Sequence, residues 1–263
     1  MARRIRITLA YDGSAYRGWQ LQPGLATIQA EVEKVATRIE GRAVSVHASG
    51  RTDTGVHALA QVAAFDLDNP IPLRNLRKAM NLFLPRDIRV VDIADAPPDF
   101  HPRHDAFAKV YEYRILRDEI CSPFERRYVH HYPYPLDEAA MELLAPLLEG
   151  EHDFTAFATA DPKHVPLRSK VRTVFSSRIE RSGSRLLYRV RGSGFLKHMV
   201  RNIVGVLIEG GKGNVSPAGL LKRLEPGSGI PPGPTAPSSG LFLVGVEYAP
   251  TDDGGEGVTG GSS

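Results

Sequence analysis

Arg51 and Asp53 stand one residue apart in the stretch S-G-R-T-D-T-G-V-H at 49–57, bracketed by glycines. A carboxylate beside a guanidinium is held ionised and in place, which suits a nucleophile or charge stabiliser better than a general acid. On a chain with a basic groove, such a group would attack a sugar carbon or an electrophilic base carbon. Inside an RNA helix the target nucleotide would first have to leave the stack, and a planar arginine head nearby would fill the vacated space. The same residues also make a plain bend. Gly and Asp favour turns for backbone reasons, and an Asx-turn with a surface ion pair accounts for the spacing by itself. Spacing alone favours this plainer alternative.

Other chemistries fit less well. Asp53-Thr54-Gly55 invites an aspartic-protease reading, but that chemistry needs two carboxylates sharing a proton, and the chain has no second D-T-G or D-S-G. His101 and His104 are spaced i, i+3, and His130 and His131 are adjacent; none has a Cys or Glu partner at zinc-like spacing, so no metal site is expected. The run G-S-G-F-L-K at 192–197 lacks a Walker ending. It is either a strand-to-helix junction whose amides hold a phosphate or a plain loop. In K-V-Y-E-Y-R-I from Lys109, the alternation puts Lys109, Tyr111 and Tyr113 on one strand face. A tyrosine in a cleft offers a flat surface to a flipped base and a hydroxyl that can move a proton; on pattern alone both are equally ordinary sheet residues.

Charge distribution points to a polyanion. The net charge is only +3, yet from Lys163 to Arg201 there are eleven Lys/Arg against the single acid Glu180, leaving 33 − 11 = 22 basic and 30 − 1 = 29 acidic residues elsewhere. A locally basic segment on a mildly acidic remainder suggests nucleic acid as partner. The chain's 263 residues, 42% hydrophobic and 24% charged, fit a globular protein with a proper core. The lone Cys121 excludes an internal disulfide and suggests a reducing, cytoplasmic setting. No apolar run approaches the length of a membrane span, and the N-terminus reads as a strand rather than a signal peptide.

The elements that must position these groups follow from periodicity. Residues 4–11 alternate as a half-buried strand. Thr27 caps a helix with Ile28, Val32, Val35 and Ile39 on one face and Gly41 at its end. Strands are expected at 43–48 and 56–67, a helix over about 74–84 stopped by Pro85, and a strand at 88–93. The second half repeats the order: a strand at 109–116, a helix over 137–150 kinked at Pro146, strands at 171–181 and 185–191 around S-G-S, a helix from Leu196 to Ile208, an extra helix opening at Ser216-Pro217, and a last strand from Leu241. Two β-α-β-β-α-β series predict an α+β fold of two ferredoxin-like halves, 1–105 and 106–250, sharing a mainly antiparallel sheet with a central cleft. The polar tail at 251–263 is expected to be disordered.

Five stretches, in order, resemble the TruA-type tRNA pseudouridine synthases: Y-D-G-S-A-Y-R-G-W-Q at 11–20, G-R-T-D-T-G-V-H at 50–57, K-V-Y-E-Y at 109–113, G-F-L-K-H-M-V-R-N-I-V-G at 194–205 and T-A-P-S-S-G-L at 235–241. The resemblance spans about residues 4–249. It implies the pseudouridine-synthase fold and an isomerase that converts uridine to pseudouridine at about positions 38 to 40 of the tRNA anticodon stem-loop by base flipping. No metal or organic cofactor is implied. Asp53 matches the catalytic aspartate that cleaves the N-glycosidic bond; whether it attacks the ribose C1′, attacks uracil C6 or removes a ribose proton stays open. Arg51 matches the arginine that assists flipping, Tyr111 the tyrosine stacked on the target uracil, Arg201 the arginine paired with the aspartate, and Leu241 the leucine under the base. Phe100, His101, Pro102, Arg103 and His104 resemble a tRNA-contacting run, with Arg103 the expected phosphate ligand, and Lys109 and Arg168 join the expected tRNA contacts. Thr54 stands where alanine is common. The resemblance also implies a homodimer with tRNA touching both subunits. The alternative from another class is a non-catalytic RNA-binding protein using the same basic face.

Overall fold

The alternation R-R-I-R-I-T-L-A-Y becomes β1 (Arg3–Tyr11), whose Ile5, Ile7 and Leu9 are fully buried while the residues between them stay partly exposed. In the computed structural model, which describes residues 2–159 and 169–249, β1 is flanked by later strands on both sides. The chain first forms α1 (Ile28–Glu40), opened by the Thr27 hydroxyl accepting from the Ala30 amide and closed by Gly41 in the left-handed region. It then forms β2 (His47–Ala48), β3 (His57–Leu67), α2 (Leu73–Phe83) and β4 (Ile88–Ala96). Ile28, Val32 and Val35 of α1, with Leu76 and Met80 of α2, enter the same core as the β1 side chains. Each such burial contributes about 1.5–3 kcal/mol.

The remaining elements are β5 (Ala106–Leu116), β6 (His130–His131), α3 (Glu138–Leu144), β7 (Gly150–Asp153), β8 (Val171–Ser182), β9 (Arg185–Gly192), α4 (Met199–Gly211), α5 (Pro217–Leu224) and β10 (Leu241–Tyr248). The main path of the sheet runs β4-β1-β3-β10-β5-β9-β8-β7, with β2 beside β3 and β6 beside β5. Pairing is antiparallel except at β5–β6 and at β3–β10, where Phe242 faces His57 and Leu243 faces Ala58. The last strand thus lies in the middle, between the strand that follows the Asp53 loop and the strand that carries Tyr111. The fold is mixed α and β around one large, mostly antiparallel sheet. No helix among the described residues is long and apolar enough to cross a membrane.

Several boundaries differ from expectation, three of them for a visible physical reason. The strand expected at 43–48 shrinks to two residues because its amides are taken by helix side chains: Val44 N–H donates to the Thr37 hydroxyl and Val46 N–H to the Glu33 carboxylate. The helix over 137–150 stops at Leu144 and tightens to a 3₁₀ turn across Ala145–Leu148, since Pro146 has no amide to continue it. The helix expected from Leu196 starts at Met199 because His198 adopts φ 61°. The strands β6 and β7, two and four residues long, carry too little pattern to be foreseen. The tail expected to be disordered, 251–263, lies outside the described residues.

α4 is buried almost all round, and one glycine makes that possible. A Cβ on Gly205 would sit 1.6 Å from the Pro234 carbonyl oxygen, so only glycine lets the loop before β10 cross the helix there. Asn202 of the same helix fixes that loop: its amide donates to the Phe157 carbonyl at 2.8 Å and its oxygen accepts from the Thr235 hydroxyl at 2.7 Å.

Candidate active site

The loop between β2 and β3 is clamped from several sides. Thr52 is buried, its hydroxyl bonded to the Tyr11 hydroxyl at 2.9 Å and its carbonyl accepting from Trp19 N–H at 3.0 Å. Gly18, at φ 87°, lets the segment 11–20 press against it, for a Cβ there would come within 2.5 Å of the Thr52 carbonyl oxygen. On the other flank Ser49 donates to Gln61, and Gln61 donates back to the Gly50 carbonyl at 2.9 Å. Val56 N–H donates to the Asp53 carbonyl and closes the turn. The bend of the plainer reading is therefore real, and it is anchored rigidly enough to aim a side chain.

That side chain is Asp53, half-buried, and its partner is not Arg51. Arg51 is exposed and forms no ion pair with a described residue, so the surface pair suggested by sequence adjacency does not form. Instead Arg201 Nη1 lies 3.6 Å from Asp53 Oδ2, and His198 Nε2 lies 3.5 Å from the same oxygen. Arg201 is itself held: its Nε donates to the Ala236 carbonyl at 2.7 Å while Ala236 N–H donates to the Arg201 carbonyl at 3.1 Å. Tyr111, 8% exposed, stands edge-on to Phe195 at 5.2 Å between centroids. Burial, then the charges of Tyr11 and Asp53, push the Tyr111 hydroxyl well above its ordinary value, so at neutral pH it is a proton donor. Leu241 is buried at the start of β10, opposite Tyr113 in the ladder. Three separated stretches thus meet: Asp53 and Arg201 in direct contact, with Tyr111 near enough to sense the carboxylate's charge.

His198 is the residue that sequence reading missed. It fell between the matched positions of its motif, and a histidine before a helix carries no distinctive signal. The available clue was a polar residue at the N-cap of an otherwise apolar run.

The stretch 100–104 forms a surface corner. Phe100 packs on Tyr248 and its carbonyl accepts from Arg4; Pro102 is buried and its carbonyl accepts from the Tyr248 hydroxyl. The His101 ring lies against His104 and His47, and Arg103 and His104 point outward. Arg103 also acts on two other cations. Burial first, then Arg103 and Arg172, bring Lys109 down to about 8, and burial and Arg103 likewise lower Arg172. Cations that depress one another gain by receiving an anion between them. Arg168 lies outside the described residues.

The basic segment is less open than its sequence suggests. Arg181 meets Glu138, Arg185 meets Glu125, Arg189 meets Glu112 at 2.7 Å and Arg191 meets Glu247 at 2.7 Å. Burial raises Glu112, but hydrogen bonds from Arg114 and Arg189 outweigh it and hold the carboxyl below its usual range. Glu112 on β5 and Glu247 on β10 come within reach of β9 through the strand order β10-β5-β9, while Glu138 comes from α3 and Glu125 from the loop after β5. Acids from outside the segment thus offset four of its arginines. Among the described residues no group of three or more His, Cys, Asp or Glu side chains is placed to hold a metal ion.

A sequence profile described as tRNA pseudouridine synthase matches residues 7–105 and 144–249. The chain is 59% identical over 246 residues to a protein named tRNA pseudouridine synthase A from Solibacter usitatus, covering 94% of this chain and 100% of that one. Proteins of the same name from Maridesulfovibrio salexigens and Halalkalibacterium halodurans are 40% and 43% identical, covering 98% and 91% of this chain and 95% and 90% of theirs.

Proposed function

The chain belongs to the tRNA pseudouridine synthase family, and we propose that it isomerises uridine to pseudouridine in the anticodon stem-loop of tRNA, at about positions 38, 39 and 40, with Asp53 as the reacting carboxylate. The observation that carries this is the meeting of Asp53 and Arg201 at 3.6 Å, from opposite parts of the chain, on an anchored turn. In this reading the target uridine is flipped into the cleft and Arg51, exposed and unengaged by described residues, enters the space it leaves. Asp53 promotes cleavage of the N-glycosidic bond, the uracil turns, and a carbon–carbon bond to C1′ replaces the carbon–nitrogen bond. Arg201 holds the carboxylate in place. Tyr111 supplies a flat face for the base and a protonated hydroxyl, and Leu241 packs beneath it. Arg103, Lys109 and the 100–104 corner take the tRNA backbone, with Arg168 a further contact.

We read the molecule as two ferredoxin-like halves, 1–105 and 106–250. Supporting this, the strands lie as β4-β1-β3-β2 and β10-β5-β9-β8, the same permutation in both sets of four. A homodimer is proposed from the family resemblance; light scattering that reports a monomer at assay concentration would remove that part.

The test is mass-based mapping of pseudouridine in unmodified tRNA after incubation with wild type and Asp53→Asn. Wild type is expected to convert uridines on the 3′ side of the anticodon stem-loop, and Asp53→Asn to convert none while still binding tRNA. A wild-type protein that binds tRNA and modifies nothing would be a non-catalytic RNA-binding protein.

A further inference from the structure

Among the described residues, His198 is the one non-glycine residue at positive φ, with φ 61° and ψ 1°. L side chains rarely adopt this conformation, and it persists where the surroundings impose it. Here they do. The Thr159 hydroxyl lies 2.8 Å from His198 Nδ1, and Thr159 N–H donates to the Lys197 carbonyl. The His198 carbonyl accepts from Asn202 N–H, the first bond of α4. The opposite ring nitrogen, Nε2, is aimed at Asp53 Oδ2.

Resting on the reading of Asp53 as the reacting carboxylate, we propose that His198 is a positioning residue for it: Nε2–H and the Arg201 guanidinium together hold Oδ2, leaving Oδ1 for the nucleotide. The tautomer follows from the neighbours. A carboxylate beside Nε2 requires a proton on that nitrogen, so Nδ1 accepts from the Thr159 hydroxyl. The charged groups around the ring are Asp53, Arg201 and Lys197; Tyr111 is the further titratable group that senses Asp53. Burial, with Arg201 and Lys197, outweighs Asp53 and lowers His198 below its ordinary value, so the imidazole is neutral at pH 7. It therefore orients the carboxylate without cancelling its charge. At 3.5 and 3.6 Å both contacts are longer than formed hydrogen bonds, as such contacts commonly are before a substrate is bound.

The experiment measures single-turnover pseudouridine formation in unmodified tRNA between pH 5 and 8, with tRNA affinity and the unfolding midpoint measured alongside. It compares wild type, His198→Asn and His198→Gln. Asparagine tolerates the left-handed backbone but is too short to reach Asp53; glutamine places an amide near the Nε2 position. His198→Asn is expected to fold and bind tRNA as wild type does, with a rate lower by on the order of tenfold to a hundredfold. Its acid limb should move to higher pH, because the ionised carboxylate has lost a donor. His198→Gln should recover part of the rate. An Asn variant with wild-type rate and acid limb overturns the proposal and leaves His198 a helix cap, as does a slowed variant whose acid limb has not moved. A wild type that forms no pseudouridine removes the underlying reading of Asp53 instead.

Discussion

The Lys109 ammonium donates to the Ser49 carbonyl oxygen at 2.6 Å, tying the strand that carries Tyr111 to the loop that carries Asp53. Lys109 is brought down to about 8 by burial first and then by Arg103 and Arg172. A phosphate nearby would raise it again, so tRNA binding should take up a proton near pH 8. Affinity for tRNA is predicted to fall by up to about tenfold from pH 7 to pH 9 at constant ionic strength. Lys109→Arg should flatten that dependence. Fluorescence anisotropy of a labelled anticodon stem-loop measures both, and a flat wild-type profile would mean Lys109 does not meet the phosphates.

Gly18 against Thr52 gives a prediction about precision. Gly18→Ala must relieve a 2.5 Å approach to the Thr52 carbonyl oxygen at a backbone of φ 87°. The variant should lose about 1–3 kcal/mol of stability. Because the displaced residues adjoin Asp53, its turnover at a temperature where it is folded should fall roughly tenfold or more while tRNA affinity holds. Urea unfolding and single-turnover assays separate the two effects; full turnover in a destabilised protein would show that the loop does not aim the carboxylate.

His130 gives a pH dependence of folding. Its Nδ1 is buried without a hydrogen-bond partner among the described residues, and the ring lies edge-on to Tyr113 and Tyr132. Burial, with His131 adding to it, pushes it down to about 4 from 6.5. The unfolded chain therefore binds more protons between those values. His130's contribution is whole above pH 6.5 and is lost as pH falls toward 4. Allowing for solvent screening, wild type should lose about 1 kcal/mol from this group between pH 6.5 and 5. His130→Phe should show a shallower loss in urea midpoints over that range; an equal slope would remove His130 as its source.

The elements were largely legible because each is written in nearby residues. Thr27, Gly41 and the spacing of Ile28, Val32 and Val35 define α1 within one stretch, and Ser216-Pro217 opens α5 in the same way. Where side chains from elsewhere compete, the pattern fails: Glu33 and Thr37 take the amides of the expected strand at 43–48. The motifs that resemble the family named Asp53, Tyr111 and Arg201 together, but the spacing of Arg51 and Asp53 by itself suggested the wrong ionic partner. His198 left only a polar residue ahead of an apolar run, since its role depends on a backbone angle and on Thr159.

By itself the sequence determined the periodicities, the caps, an α+β element order and the family, all of which live in contiguous residues. Tertiary structure decided which charges meet. Placing β10 between β3 and β5 puts Glu247 within reach of Arg191 and so removes part of the basic surplus. Packing the loop before β10 across Gly205 fixes Ala236, hence Arg201, hence the oxygen of Asp53. Electrostatic contacts of this kind act over a few ångströms in space irrespective of separation along the chain, and only strand order and close packing bring those groups within range.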